Sequence, residues 1–161
     1  MATTDFATIR DRQIARIGAL TPTAQPTTIG FNRSPKRWPV REWALRNATS
    51  AVLRQFEIVR VGETNPPSIC HGSQQQRDEQ CEIVIAYPTE LGLYGTEDHD
   101  DLEKTIRSDA RQIADVVFSP NNYVSGQNAA IPTIREPEKS DAVWFGVVSV
   151  RLIYDEAMTL A

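Results

Sequence analysis

Residues 142–154 read AVWFGVVSVRLIY. A run this apolar, rich in β-branched and aromatic side chains, predicts a long strand, with Gly146 marking a bulge or bend. Working back from it, residues 81–87 (CEIVIAY) predict a second strand, stopped by Pro88. Residues 55–61 (QFEIVRV) alternate well and end at Gly62, which predicts a third. Residues 131–135 predict a short one, broken by Pro137.

Between these lies the clearest helix, Thr96 to Phe118. Leu102, Ile106, Ala110, Ile113 and Val117 form a stripe at four-and-three spacing. Asp98, Asp100, Asp101 and Glu103 crowd its first turns, where the helix dipole favours negative charge. Thr3 to Leu20 predicts another amphipathic helix through Phe6, Ile9, Ile14, Ile17 and Leu20, capped by Thr4 or Asp5 and stopped by Pro22. The order is helix, long excursion (21–50), strand, strand, helix, strand, long strand. That is a single α+β domain, a mainly antiparallel sheet with helices packed on one face. Ile83, Ile85, Val148, Val150 and Leu152 are expected to be buried against Ile106 and Ile113. Gly62 to Gln80, with two prolines and a glutamine run, is expected to be a long polar hairpin loop ordered by partners.

Composition bounds the function classes. The chain has 161 residues, 40% of them apolar, and a net charge of −4, with a pI near 5.2. That balance argues against a protein that coats nucleic acid generally, while leaving a local basic patch open. No run has the roughly 18 apolar residues of a membrane span, and the first residues carry no basic and apolar signal pattern. Cys70 and Cys81 are too few for a disulfide framework and could pair only if a hairpin brought them together. With His71 and His99 they fit no zinc spacing.

Catalytic patterns are absent too. The sequence has no glycine-rich phosphate loop, no G-x-S-x-G elbow and no H-E-x-x-H. The aspartates around His99 lack the glycine and closing glutamate of a calcium loop, so helix capping explains them. The expectation is a protein without catalytic, cofactor or metal residues.

The most basic segment is 31–46. Arg33, Lys36, Arg37, Arg41 and Arg46 stand against one acid, Glu42, with Trp38 and Trp43 interleaved. Arginine with indole can stack on bases and pair phosphates, which suits nucleic acid. Buried indoles also dominate protein contacts, so the same residues suit docking onto this subunit or a neighbour.

The layout resembles the tail terminators of long-tailed bacteriophages, neck proteins that cap the tail tube and join it to the head. The resemblance is carried by a first helix ATIRDRQIARI and strands FEIVRV and CEIVIAYP. A helix DLEKTIRSDARQIADVV and a last strand VVSVRLIYDE complete it. The 21–50 excursion is longer than that layout calls for. The resemblance implies a homo-oligomeric ring, usually a hexamer, in the virion neck after assembly in the host cytoplasm. Its partners would be the tail tube protein and a head-completion or connector protein. DNA would pass through the lumen without sequence recognition. Net negative charge suits such a conduit, since strong attraction would retard a passing genome. On this reading Trp38 and Trp43 anchor the excursion, and Arg33, Lys36, Arg37 and Arg41 pair with Asp98, Asp100 and Asp101 at a rim. The rival expectations are a nucleic-acid-binding accessory protein using 31–46, another head- or tail-completion protein, and a small enzyme with an unrecognised site.

Overall fold

The computed structural model describes residues 2–35, 39–63, 70–71, 74–90, 92–97 and 99–157. In chain order these form α1 (Phe6–Gly18), β1 (Asn32–Arg33), α2 (Val40–Arg46), β2 (Gln55–Glu63), β3 (Cys70–His71), β4 (Gln74–Pro88), α3 (His99–Val116), β5 (Gln127–Ile134) and β6 (Val143–Ala157). The sheet runs β1-β2-β4-β6-β5, with β3 added to the start of β4. Only β1 and β2 are parallel; the other pairs are antiparallel.

The centre is the β4–β6 pair, matched residue for residue from Gln74↔Ala157 to Pro88↔Val143. Fifteen residues each make strands about 50 Å long at ~3.3 Å per residue. Period-two alternation divides their side chains. Cys81, Ile83, Ile85 and Tyr87 join the cluster that includes α1 and α3, while Val84 and Ala86 join a second cluster with α2. The seven expected core residues are all buried, none more than 2% exposed.

Local chemistry sets the helices. Asp5 caps α1, its carboxylate accepting from Thr8 N at 2.7 Å, and Phe6, Ile9, Gln13 and Ile17 face the sheet. The whole α3 stripe is buried, as its spacing demands. Asp101 accepts from Glu97 N at 2.7 Å, so this acid fixes the turn leading into α3. Among the described residues, no helix is long and apolar enough to cross a membrane.

Three expectations change. The polar stretch 62–80 is not one loop: β2 continues to Glu63, and β4 begins at Gln74 and is paired on to Ala157 and Glu156 of β6. Backbone pairing to β6 along its whole length, with β3 at Gln74 and Gln75 and β2 at Glu79 and Gln80 on the other side, holds Gln74–Gln80 in the sheet despite its polarity. Residues 64–69, 72 and 73, on which the rest of that expectation falls, lie outside the described residues. The short strand at 131–135 is longer and starts at Gln127. The excursion holds a strand and a helix: Asn32 and Arg33 pair beside β2, and the chain then passes around that edge to set α2 on the reverse face.

The hairpin does not bring the cysteines together. Cys70 pairs with Gln75, and Cys81 lies six residues further along β4, roughly 20 Å at ~3.3 Å per residue. Burial, followed by Glu79 and Glu82, pushes the Cys81 thiol up to about 12. In a Cys70→Ser background, native protein at about pH 8 should resist thiol-directed reagents and react fully once denatured. Rapid native labelling would put Cys81 at the surface.

Arg54 ties the excursion to the core. It sits at φ 58° with its side chain fully buried. Its Nε donates to Asp109 Oδ2 at 2.7 Å and its Nη2 to Asp109 Oδ1 at 3.2 Å. The remaining donors reach the carbonyls of Ala24 (3.0 Å), Ile29 (2.8 Å) and Pro26. Tyr87 donates to Asp109 Oδ2 at 2.8 Å. Thr105 Oγ1 and Gln112 Nε2 donate to the carbonyls of Gln25 and Thr21, both at 2.8 Å, so the loop is held along α3.

Candidate assembly interface

The reverse face of the sheet is half covered. Val40 and Ala44 of α2, with Val52, close over Val84, Ala86, Val143 and Phe145, and Trp43 and Val59 pack at the margin. Beyond α2 the same face is open among the described residues. Val61, Gln80, Ile131, Thr133, Ser149 and Arg151 line a shallow depression there, about 360 Å³ in volume. Val61 is 55% and Ile131 48% exposed, large apolar side chains left uncovered among the described residues.

Two ion-paired groups flank this patch, while Arg135, which also lines it, has no ion-pair partner among the described residues. Arg151 grips Asp78 with both carboxylate oxygens, Nε at 2.9 and 3.1 Å and Nη2 at 2.5 Å, which holds the Asp78 carboxyl below its usual range. Arg41 holds Glu138 through Nε and Nη2 at 2.8 and 2.9 Å and lies 3.6 Å from Glu82. That pairing lowers the Glu138 carboxyl and raises the Arg41 guanidinium. Arg151 and Arg41 are thus neutralised in place beside an apolar centre and Arg135 is not, a mixed surround suited to contact with a protein surface.

The β5 edge of the sheet is blunted at its middle against strand addition. Arg135 N donates to Val147 O at 3.0 Å, so alternate residues of β5 turn their amides inward. Of the outward ones, Ala130 N is taken by the Tyr123 hydroxyl at 2.9 Å, and Pro132 has no N–H. An edge blunted in this way does not template pairing with another chain.

The residues singled out from sequence do not form one site. Trp43 is half-buried in the second cluster, its Nε1 buried without a hydrogen-bond partner, so this indole docks the excursion onto its own subunit. Arg41 is engaged with Glu138 and Glu82 rather than free for a rim. Arg33 is exposed on β1, beside Arg10, Asp11, Ile14 and Ala15 of α1. Asp100 and Asp101 begin α3, on the sheet face opposite α2, so among the described residues Arg41 and Trp43 do not meet the acidic helix start. Lys36, Arg37, Trp38 and Asp98 lie outside the described residues.

Sequence reasoning passed over the open patch itself. Its signal was present in SVRLI, where Ser149 and Arg151 alternate with buried Val150 and Leu152, leaving one face of a core strand polar. Among the described residues, no group of three or more His, Cys, Asp and Glu side chains is placed to hold a metal ion. Compared with known proteins, the chain matches no family model, and no curated protein sequence matches it.

Proposed function

We propose that the protein is a structural subunit that works by self-assembly, a ring-forming neck protein of the tail-terminator kind that ends a phage tail tube and joins it to the head. The observation that carries this reading is the open half of the sheet. A strand surface with Val61 and Ile131 exposed, and with Arg151 and Arg41 paired in place around it, is the feature of a contact surface. Blunting at Ala130 and Pro132 disfavours strand addition at the β5 edge, which supports face-to-face docking. The element order, two long helices on one face of a mainly antiparallel sheet, is the layout from which the resemblance was drawn. Partners on this reading are further copies of the chain, the tail tube protein and a connector or head-completion protein. DNA passes through the ring without being read.

The test is native mass together with sedimentation. The wild-type chain should run as a closed oligomer, and Ile131→Arg should run as a folded monomer with an unchanged thermal transition. Ile131 is exposed, so the new charge costs the monomer little, whereas burying it unpaired in an interface is prohibitive. Oligomers of unchanged size in Ile131→Arg would rule out this face as the contact. A wild-type monomer that stays monomeric in the presence of purified tail tubes would end the neck reading.

A further inference from the structure

A ring of more than two copies needs two different surfaces on each chain, since a patch that meets itself closes at a dimer. The open face supplies one: Val61 and Ile131 are exposed there, and Arg135 lines the same depression with no ion-pair partner among the described residues. Its mate must offer an apolar side chain with an uncommitted acid next to it. Among the described residues the other exposed large apolar side chains are Leu45, Val116 and Ile134. Leu45 has Glu42 and Arg46 for neighbours on α2, and these pair with each other at 3.0 Å. Ile134 is followed by Arg135 itself and by Glu136, which Arg107 holds at 3.1 Å. Val116 follows Asp115, which is exposed and has no ion-pair partner among the described residues.

Asp115 also stands where its own helix does not favour it. It falls in the last turn of α3, which holds no basic residue, so an acid coincides with the negative end of the helix dipole. A cation from outside the chain answers both. Arg111, one turn earlier, is likewise without an ion-pair partner among the described residues and shares a depression with Asp115. On the open face the same two signs recur in one depression, where Glu82, 3.6 Å from Arg41, accompanies Arg135.

We propose that the last turn of α3 in one copy docks on the open face of the next, with Val116 against Val61 and Ile131 and Asp115 opposite Arg135. This rests on the self-assembly reading and names the second surface which that reading requires. The two surfaces lie on opposite sides of the sheet, since α3 belongs to the first cluster and the open patch lies on the face of the second. The contact is therefore front to back, and each added copy leaves the same surface free as the one before it. A constant rotation closes such a series into a ring. The apolar contact supplies affinity, and the pairing of Asp115 with Arg135 fixes register.

The experiment is sedimentation velocity with native mass spectrometry on the full chain over a concentration series. Arg135→Asp and Asp115→Arg should each weaken assembly by roughly tenfold or more, because each sets like charges opposite one another. Both changes in one chain restore opposite signs and should regain the wild-type oligomer. The two positions are exposed, so the thermal transition should stay where it is in all three variants, which keeps loss of assembly apart from loss of fold. Leu45→Arg should leave the oligomer unchanged. Wild-type assembly in Asp115→Arg would overturn the proposal. So would a double variant that stays dissociated, or a Leu45→Arg that dissociates as strongly. Failure here is distinct from failure of the reading beneath it. A monomeric Ile131→Arg with Asp115→Arg fully assembled keeps the open face as a contact and removes α3 as its mate, whereas a monomeric wild type removes both.

Discussion

Arg54→Met lowers the unfolding free energy by about 3–5 kcal/mol, the cost of removing one member of a buried ion pair. In urea denaturation this appears as a shifted midpoint with little change in slope. In a thermal scan, at ~2–4 °C per kcal/mol for a chain of this size, the transition falls by roughly 6–20 °C. The loss has two parts. Asp109 is left fully buried with only the Tyr87 hydroxyl to balance its charge. The carbonyls of Ala24, Pro26 and Ile29 lose their donor as well, each worth about 1–3 kcal/mol if it stays dry. The loop can instead lift into water, so amide exchange across 21–30 should rise before global unfolding. Removing both charges in Arg54→Met/Asp109→Leu should recover part of the loss, because no uncompensated charge remains. An equal or larger loss in the double variant would mean that the loop carbonyls, not the carboxylate, carry the cost.

The same pair sets a pH dependence. Burial pushes the Asp109 carboxyl above its ordinary value, against the pull of Arg54 and Tyr87. A carboxyl raised in the folded state binds its proton more tightly there than when unfolded, so it costs stability above its folded pKa. Without Arg54 the shift grows. The Arg54→Met deficit is therefore largest at neutral pH and narrows on acidification through the window between the unfolded and folded values.

What sequence alone showed follows from where period and burial coincide. The α3 stripe and the alternation of Cys81–Tyr87 are set by one-sided burial, and both elements lie where the pattern put them. The helix α2 was hidden because VREWALR turns only Val40 and Ala44 fully inward over seven residues. Too few periods are then present to register. The first half of β4 was hidden for the opposite reason: QQQRDEQ has no apolar alternation, and backbone pairing to β6 makes it a strand. Arg54 offered no signal at all. A single arginine before a strand reads as a solvated charge, and its partners lie 25 to 55 positions away in the chain. Arg41 and Trp43 were legible as contact residues, but not the identity of their contacts. The partners, Glu138 and the second cluster, are brought together only by the sheet.

The close approach of α3 to the sheet yields the second large effect. Ile106→Ala should cost about 2–5 kcal/mol, since Ile106 is 2% exposed at the centre of the helix–sheet cluster and its loss leaves a cavity that rigid strands cannot close. Opposite it stands Gly146, which reads from sequence as a bend but lies in unbroken register with Ile85. Its role is room. A Cβ added there would stand 3.0 Å from Ile106 Cγ2 and 3.1 Å from Tyr87 Cε2, closer than side chains normally pack. Gly146→Ala should thus cost roughly 1–3 kcal/mol through overpacking. Together the two changes should cost less than their sum, because the methyl added at 146 occupies space vacated at 106. Relief is partial, since the Tyr87 ring is pinned by its hydrogen bond to Asp109 and cannot yield. A double-mutant cycle in urea should show a favourable coupling of at least ~0.5 kcal/mol, the scale for residues in contact. Strict additivity would mean that α3 does not bear on Gly146, and that the glycine serves the strand rather than the helix above it.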